Sequence, residues 1–162
     1  MRMRKGLLFV VLALILLAAN LAIYQKQQLL GSGSVMRLEL APVDPRALMQ
    51  GDYMALNYAL NSHLRSTEIP GNHRLIVTLN PQRIATEAGW DRGQPLKENQ
   101  YYLQAHRGNQ GIAVASDVWF FEEGHAKDYI DARYGELRVA EDGTALLVAL
   151  LDEQLKPLPA TP

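Results

Sequence analysis

The chain has 162 residues, a formal net charge of −1 and no cysteine. That length holds one domain plus an anchor, and the missing thiols exclude a disulfide framework, a thiol nucleophile and a lipidated cysteine. Arg2, Arg4 and Lys5 open the chain and no acid precedes Glu39, so setting those three aside leaves 13 of the 16 basic residues against 17 acidic ones; a body of about −4 lacks the basic face that nucleic acid requires, so nucleic acid is excluded as a partner.

Residues 1–5 read as a basic cytoplasmic N-terminus and residues 6–24 as a transmembrane helix in contact with the lipid bilayer. The run from Gly6 to Ile23 is apolar except for Asn20, and its length of roughly 27 Å as a helix just spans a hydrocarbon core. Tyr24 and Lys26 follow as interfacial anchors, and the preceding positive charges keep that end cytoplasmic. The run is longer than a signal-peptide h-region and no clean Ala-x-Ala site follows it, so an uncleaved anchor is expected. Asn20 reads as a helix–helix contact or as an amide near the headgroups. Residues 25–34 read as a helical extension and then Gly31-Ser32-Gly33-Ser34, a flexible linker or the turn before the first strand.

Residues 35–152 are expected to form an extracytoplasmic β-rich domain, facing the periplasm in a Gram-negative cell. Val35 to Ala41 leads in, with Arg37-Leu38-Glu39-Leu40 alternating as a half-buried strand that Pro42 ends. Asp44 and Pro45 read as the cap and first position of one helical turn, Arg46 to Gln50, stopped by Gly51. From Asp52 the chain is extended, with Met54, Leu56, Tyr58 and Leu60 on one face. Asn61 to Asn72 reads as a loop, Arg74 to Leu79 as a strand, Asn80-Pro81 as a turn and Gln82 to Ala88 as a returning strand. Gly89 to Asn99 is a loop and Tyr101 to Arg107 a strand, with a tight turn at Gly108-Asn109-Gln110-Gly111. Ile112 to Phe121 follows as one strand, apolar on both faces and therefore buried. Glu122 to Ala132 is expected as the one soluble helix, then Tyr134 to Ala140 as a strand, Glu141-Asp142-Gly143 as a hairpin turn and Thr144 to Leu151 as a central strand. Residues 153–162 are a Pro-rich tail. About eight strands with hairpin connections and one helix predict a mainly β fold: an antiparallel barrel or sandwich with one packed helix, preceded by a single transmembrane helix.

Gly51-Asp52-Tyr53-Met54-Ala55-Leu56-Asn57-Tyr58 resembles the pattern that names the GDYXXLXY family at every specified position. The upstream Pro42-Val43-Asp44-Pro45-Arg46 and the downstream Ala132-Arg133-Tyr134-Gly135-Glu136-Leu137-Arg138-Val139 are similar to that family as well. The resemblance implies a bacterial protein with one N-terminal transmembrane segment, of a kind encoded beside polytopic membrane proteins. It therefore implies a polytopic membrane partner rather than a reaction.

Candidate binding residues cluster in two constellations. Asp44, Pro45, Arg46, Gly51, Asp52, Tyr53, Leu56 and Tyr58 form the first, in which two carboxylates flank a guanidinium; capping and a turn explain the same acids. Tyr134, Gly135, Glu136 and Arg138 form the second, in which Glu136 and Arg138 either make a salt bridge or line a pocket with Asp52 and Arg46. No nucleophile, metal set or cofactor motif is recognisable, so no enzyme activity and no cofactor are expected. The Gly-Asp stretch resembles the signal peptidase fold, but Val43 stands where the serine nucleophile would be and cannot attack a carbonyl. His63, His73, His106 and His125 show no close ligand spacing. An accessory module for a membrane partner, a small-ligand or peptide-binding domain and a hydrolase remain as readings, in that order.

Overall fold

The computed structural model describes residues 2–41, 53–64, 71–108 and 111–159. The expected cap and helical turn at 44–50, the Gly51-Asp52 turn and the Asn109-Gln110 turn lie outside them.

Helix α1 runs Arg2–Ser32. Leu, Ala and Ile dominate it, it contains no proline, and from Phe9 to Leu30 only Leu29 is buried against the rest of the molecule. It is the one helix among the described residues long and apolar enough to cross a membrane. A helix that is apolar all round and uncovered by its own chain needs lipid or another protein around it. The Asn20 side-chain amide donates to the Leu16 carbonyl at 2.8 Å, so part of its polarity is satisfied within the helix.

The helix stops at glycine. Gly33 N donates back to the Leu29 carbonyl at 2.9 Å, and a Cβ at Gly33 would stand 2.5 Å from that same oxygen. Strand β1 begins at the next residue, Ser34, and ends at Glu39. Of the two readings of Gly31-Ser32-Gly33-Ser34, the turn before the first strand is the one seen, with the helix extended to Ser32 and Gly33 alone making the turn. Leu29 packs on the domain and the Arg138 guanidinium reaches the Gly33 carbonyl at 3.4 Å, so α1 is joined to the domain without slack.

The rest is mainly β, as a curled antiparallel half-barrel. One four-stranded sheet has the order β1-β8-β9-β10, where β8 is Tyr134–Val139, β9 Ala145–Leu151 and β10 Pro157–Leu158. The other has the order β4-β3-β5-β6, where β3 is Arg74–Leu79, β4 Ala85–Trp90, β5 Gln100–Gly108 and β6 Gly111–Val114. A two-stranded ribbon pairs β2 (Tyr53–Ala55) with β7 (Val118–Phe120). A parallel bridge between Arg37 and Ile84 joins the sheets at one side. At another, Gly143 lies on β5 and accepts from Gln104 N at 2.8 Å. The core between them is Met36, Leu38, Leu75, Val77, Leu103, Leu137 and Leu150, all nearly inaccessible.

Local chemistry explains the turns. Gly143 has φ of 90°, and Asp142 accepts from both the Thr144 amide and its hydroxyl, which closes the β8–β9 hairpin. The expected tail also returns: the Asp152 carboxylate accepts from Gln154 N and Lys156 N, which turns Pro157 and Leu158 back to pair with β9.

Three further expectations are corrected. The strand from Asp52 is paired only over Tyr53–Ala55; Tyr58 makes an isolated bridge to Leu40, and a short helix α2 (Ala59–Leu64) follows. Met54, Leu56 and Tyr58 still face the core, because alternation survives where the ladder does not. The single strand from Ile112 to Phe121 is broken: Ala115 takes φ of 52° and Ser116 Oγ donates to the Val118 carbonyl, so the chain leaves β5 and joins β2. The soluble helix over 122–132 is only a 3-10 turn, Ala126–Tyr129, whose Tyr129 stacks on Phe121 with centroids 5.6 Å apart. Gly124 at φ of 85° lies just ahead of it, and an isolated helix this short has too few bonds to propagate.

Candidate functional site

The signature tyrosines point in opposite directions. Tyr58 is 1% exposed, and its hydroxyl donates to the Ser116 carbonyl at 2.9 Å. Its ring covers Gly135: a Cβ there would stand 3.2 Å from the Tyr58 ring and 3.1 Å from Leu147 Cδ1. Gly135 is thus small because the tyrosine of the first constellation lies on the strand of the second. Burial, with Asp117 nearby, pushes the Tyr58 hydroxyl pKa far up, so it stays a neutral donor. Leu56 is buried beside it. Tyr53 faces outward, and its β7 partner Phe120 is 72% exposed, with ring centroids 6.2 Å apart.

The outer face of β8 carries Tyr134, Glu136 and Arg138. Glu136 does not pair with Arg138. It faces Arg37 across the β1–β8 ladder, and both Arg37 Nε and Nη2 lie 3.0 Å from its Oε2. Arg37 Nη1 also donates to the Gln82 carbonyl at 2.8 Å, so this ion pair ties three segments together. Arg138 is engaged with the Gly33 carbonyl. Asp44, Pro45, Arg46, Gly51 and Asp52 lie outside the described residues, so of the two constellations the visible junction is Tyr58 on Gly135.

Sequence reasoning passed over a second charged centre. Asp91 is 2% exposed. Its Oδ1 accepts from Gly93 N at 2.8 Å, and its Oδ2 lies 2.8 Å from Arg74 Nε and 2.7 Å from Nη2. Arg74 in turn lies over the Tyr102 ring at 3.9 Å. The Asp91-Arg92-Gly93 spacing carried the signal of an Asx turn, but the arginine comes from the neighbouring strand. A parallel device holds Arg83, which donates to the Val35 carbonyl and the Tyr101 hydroxyl.

Among the described residues no three His, Asp or Glu converge as a metal ion requires. His125 pairs instead with Asp128, Nδ1 to Oδ2 at 2.7 Å on the surface. The hydrogen bond and charge of that carboxylate raise the imidazole pKa above 6.5. The contact's contribution is therefore fully present below the unfolded value and is lost as pH rises through the folded one. A proton NMR titration should find the His125 midpoint above 6.5, and Asp128→Asn should lower it; an unchanged midpoint in the variant would show that the pair does not form in solution.

The family model described as GDYXXLXY protein matches residues 15–150. The chain belongs to the GDYXXLXY family. No curated protein and no solved structure matches it.

In this GDYXXLXY protein the two signature tyrosines divide the work. Tyr58 closes the core against β8, while Tyr53 stands on the surface beside Phe120. The match begins inside α1 and ends in β9, so it covers both the end of the apolar helix and the half-barrel joined to it.

Proposed function

We propose that this GDYXXLXY protein is a single-pass protein of the bacterial inner membrane, with its N-terminus in the cytoplasm and its β domain in the periplasm, acting as a non-enzymatic accessory module of a polytopic membrane protein. The observation that carries this reading is the outward aromatic pair of Tyr53 and Phe120 on the β2–β7 ribbon. Aromatic side chains held rigidly on a strand pair supply large contact area at little entropic cost, and such residues dominate interface energetics. The uncovered apolar surface of α1, with Arg2, Arg4 and Lys5 ahead of it, supports the membrane topology. The slack-free junction at Gly33 supports presentation of the domain at a set height beside a membrane partner.

The test is photo-crosslinking from position 120 in the full-length protein, in its native membrane, followed by affinity capture in detergent. One polytopic membrane protein should carry the adduct. Tyr53→Ser should reduce the yield by roughly tenfold or more, as for an interface hot spot, yet shift stability by no more than about 0.5 kcal/mol because the ring is at the surface. Recovery of the bait alone would overturn the accessory reading.

A further inference from the structure

Where α1 meets the half-barrel there is a cleft of about 830 Å³, lined by the end of the helix (Gln25, Gln28, Leu29), the start of β5 (Tyr101) and the β8–β9 turn (Glu141, Asp142). Its height follows from the chain. The apolar run ends at Ile23, so Leu29 lies roughly 9 Å further along the helix, while a headgroup layer is roughly 5–7 Å deep. With α1 across a bilayer, Gln25 and Gln28 lie roughly 3 Å and 7–8 Å past the apolar run, so the helix wall of the cleft spans the headgroup layer and Leu29 sits just above it.

Its chemistry selects among headgroups. No Lys or Arg lines it, whereas two acids and the amides of Gln25, Gln28 and Gln100 do. Asp142 is engaged by Thr144, but Glu141 has no ion pair or hydrogen bond among the described residues and is exposed at the lip. Tyr101 accepts from Arg83 at 2.7 Å through its hydroxyl, which keeps its own proton for an acceptor. A carboxylate and amide carbonyls suit a primary ammonium, and a phenol proton beside the Ser34 hydroxyl suits a phosphodiester oxygen, the Ser32 hydroxyl being spent on the Gln28 carbonyl. An anionic headgroup brings the same phosphodiester but has no ammonium to place against the unpaired carboxylate.

We infer that this cleft is a binding site for the headgroup of an amine-bearing zwitterionic phospholipid, the phosphate held from the Tyr101 side and the ammonium at Glu141. The bound lipid would fix the domain's height and orientation against the bilayer. The inference rests on the single-pass reading above, and the experiment separates the two.

Full-length protein is placed in nanodiscs of phosphatidylcholine containing either phosphatidylethanolamine or phosphatidylglycerol, then released for native mass spectrometry to count retained lipids. Phosphatidylethanolamine should be retained over phosphatidylglycerol. Glu141→Lys should lower that preference by up to roughly fivefold, the upper end for an ion pair at a water-exposed lip. Gln28→Trp, a substitution on the exposed helix surface, should fill the cleft and remove the retained lipid. Equal retention of all three lipids, or a preference unchanged in both variants, overturns the inference. Binding of soluble phosphoethanolamine with no phosphatidylethanolamine retained would also overturn it, in favour of a free solute. Because the chain has no cysteine, Lys127→Cys gives one label site; its reaction with an impermeant maleimide on spheroplasts, with the protein resisting alkaline extraction, establishes the single-pass topology independently. Failure of that labelling sinks the topology, whereas lipid indifference with labelling intact sinks only the cleft.

Discussion

Replacing Tyr58 by alanine should destabilise the domain by about 3–5 kcal/mol, the range for deleting a fully buried aromatic side chain. The ring is among the largest fully buried side chains and fills the space over Gly135, where neither strand can move without breaking β1–β8 or β8–β9 pairing. Tyr58→Phe keeps the ring and loses only the bond to the Ser116 carbonyl, so its cost should be about 1–2 kcal/mol. Urea unfolding of the full-length protein in detergent, followed by the near-ultraviolet signal, reads both. A Tyr58→Ala midpoint within experimental error of the parent would mean that the signature tyrosine does not close the core.

Arg74→Ala should cost about 2–4 kcal/mol. It strands the Asp91 carboxylate, whose side chain is 1% exposed, while one third of Arg74 itself remains in water; the loss therefore falls somewhat below the 3–5 kcal/mol typical of a fully buried pair. The pH dependence follows from the same site. The Gly93 amide first, then the Arg74 hydrogen bond, hold the Asp91 pKa below its ordinary 3.8. A depressed carboxylate contributes stability that is present above the unfolded value and is lost as pH falls through the folded one. The parent should therefore lose stability on acidification below about pH 4, and Asp91→Asn should flatten that limb. An Arg74→Ala protein as stable as the parent would show that Gly93 and Asn72 suffice to satisfy Asp91.

The strands at Arg74–Leu79, Tyr134–Val139 and Ala145–Leu151 were legible because each is a run of strand formers bounded by turn residues. The Glu141-Asp142-Gly143 turn was legible because glycine at positive φ leaves few alternatives. The break at Ala115 was overlooked: Ser116-Asp117 is a turn-forming pair inside Ile112 to Phe121, and the competing pairings with β5 and β2 divide the strand there. Phe120 misled because an apolar residue on both faces of a strand reads as burial until the sheet that would cover it is shown to be a two-stranded ribbon. For the candidate site, the signature was visible as a motif, but nothing local separated the buried role of Tyr58 from the exposed role of Tyr53.

By itself, the sequence determined the apolar helix, the alternation that turns Met54, Leu56 and Tyr58 inward, and the glycine and aspartate turns, because all of these follow from side-chain size, charge and backbone freedom within a few residues. The tertiary structure alone decided that Arg37 meets Glu136 across 99 residues, that Arg74 covers Asp91, that Tyr58 seats on Gly135, and that the helix end docks on β8 with no slack. Those pairings depend on strand register, and register is chosen by the burial of the whole core rather than by any one segment.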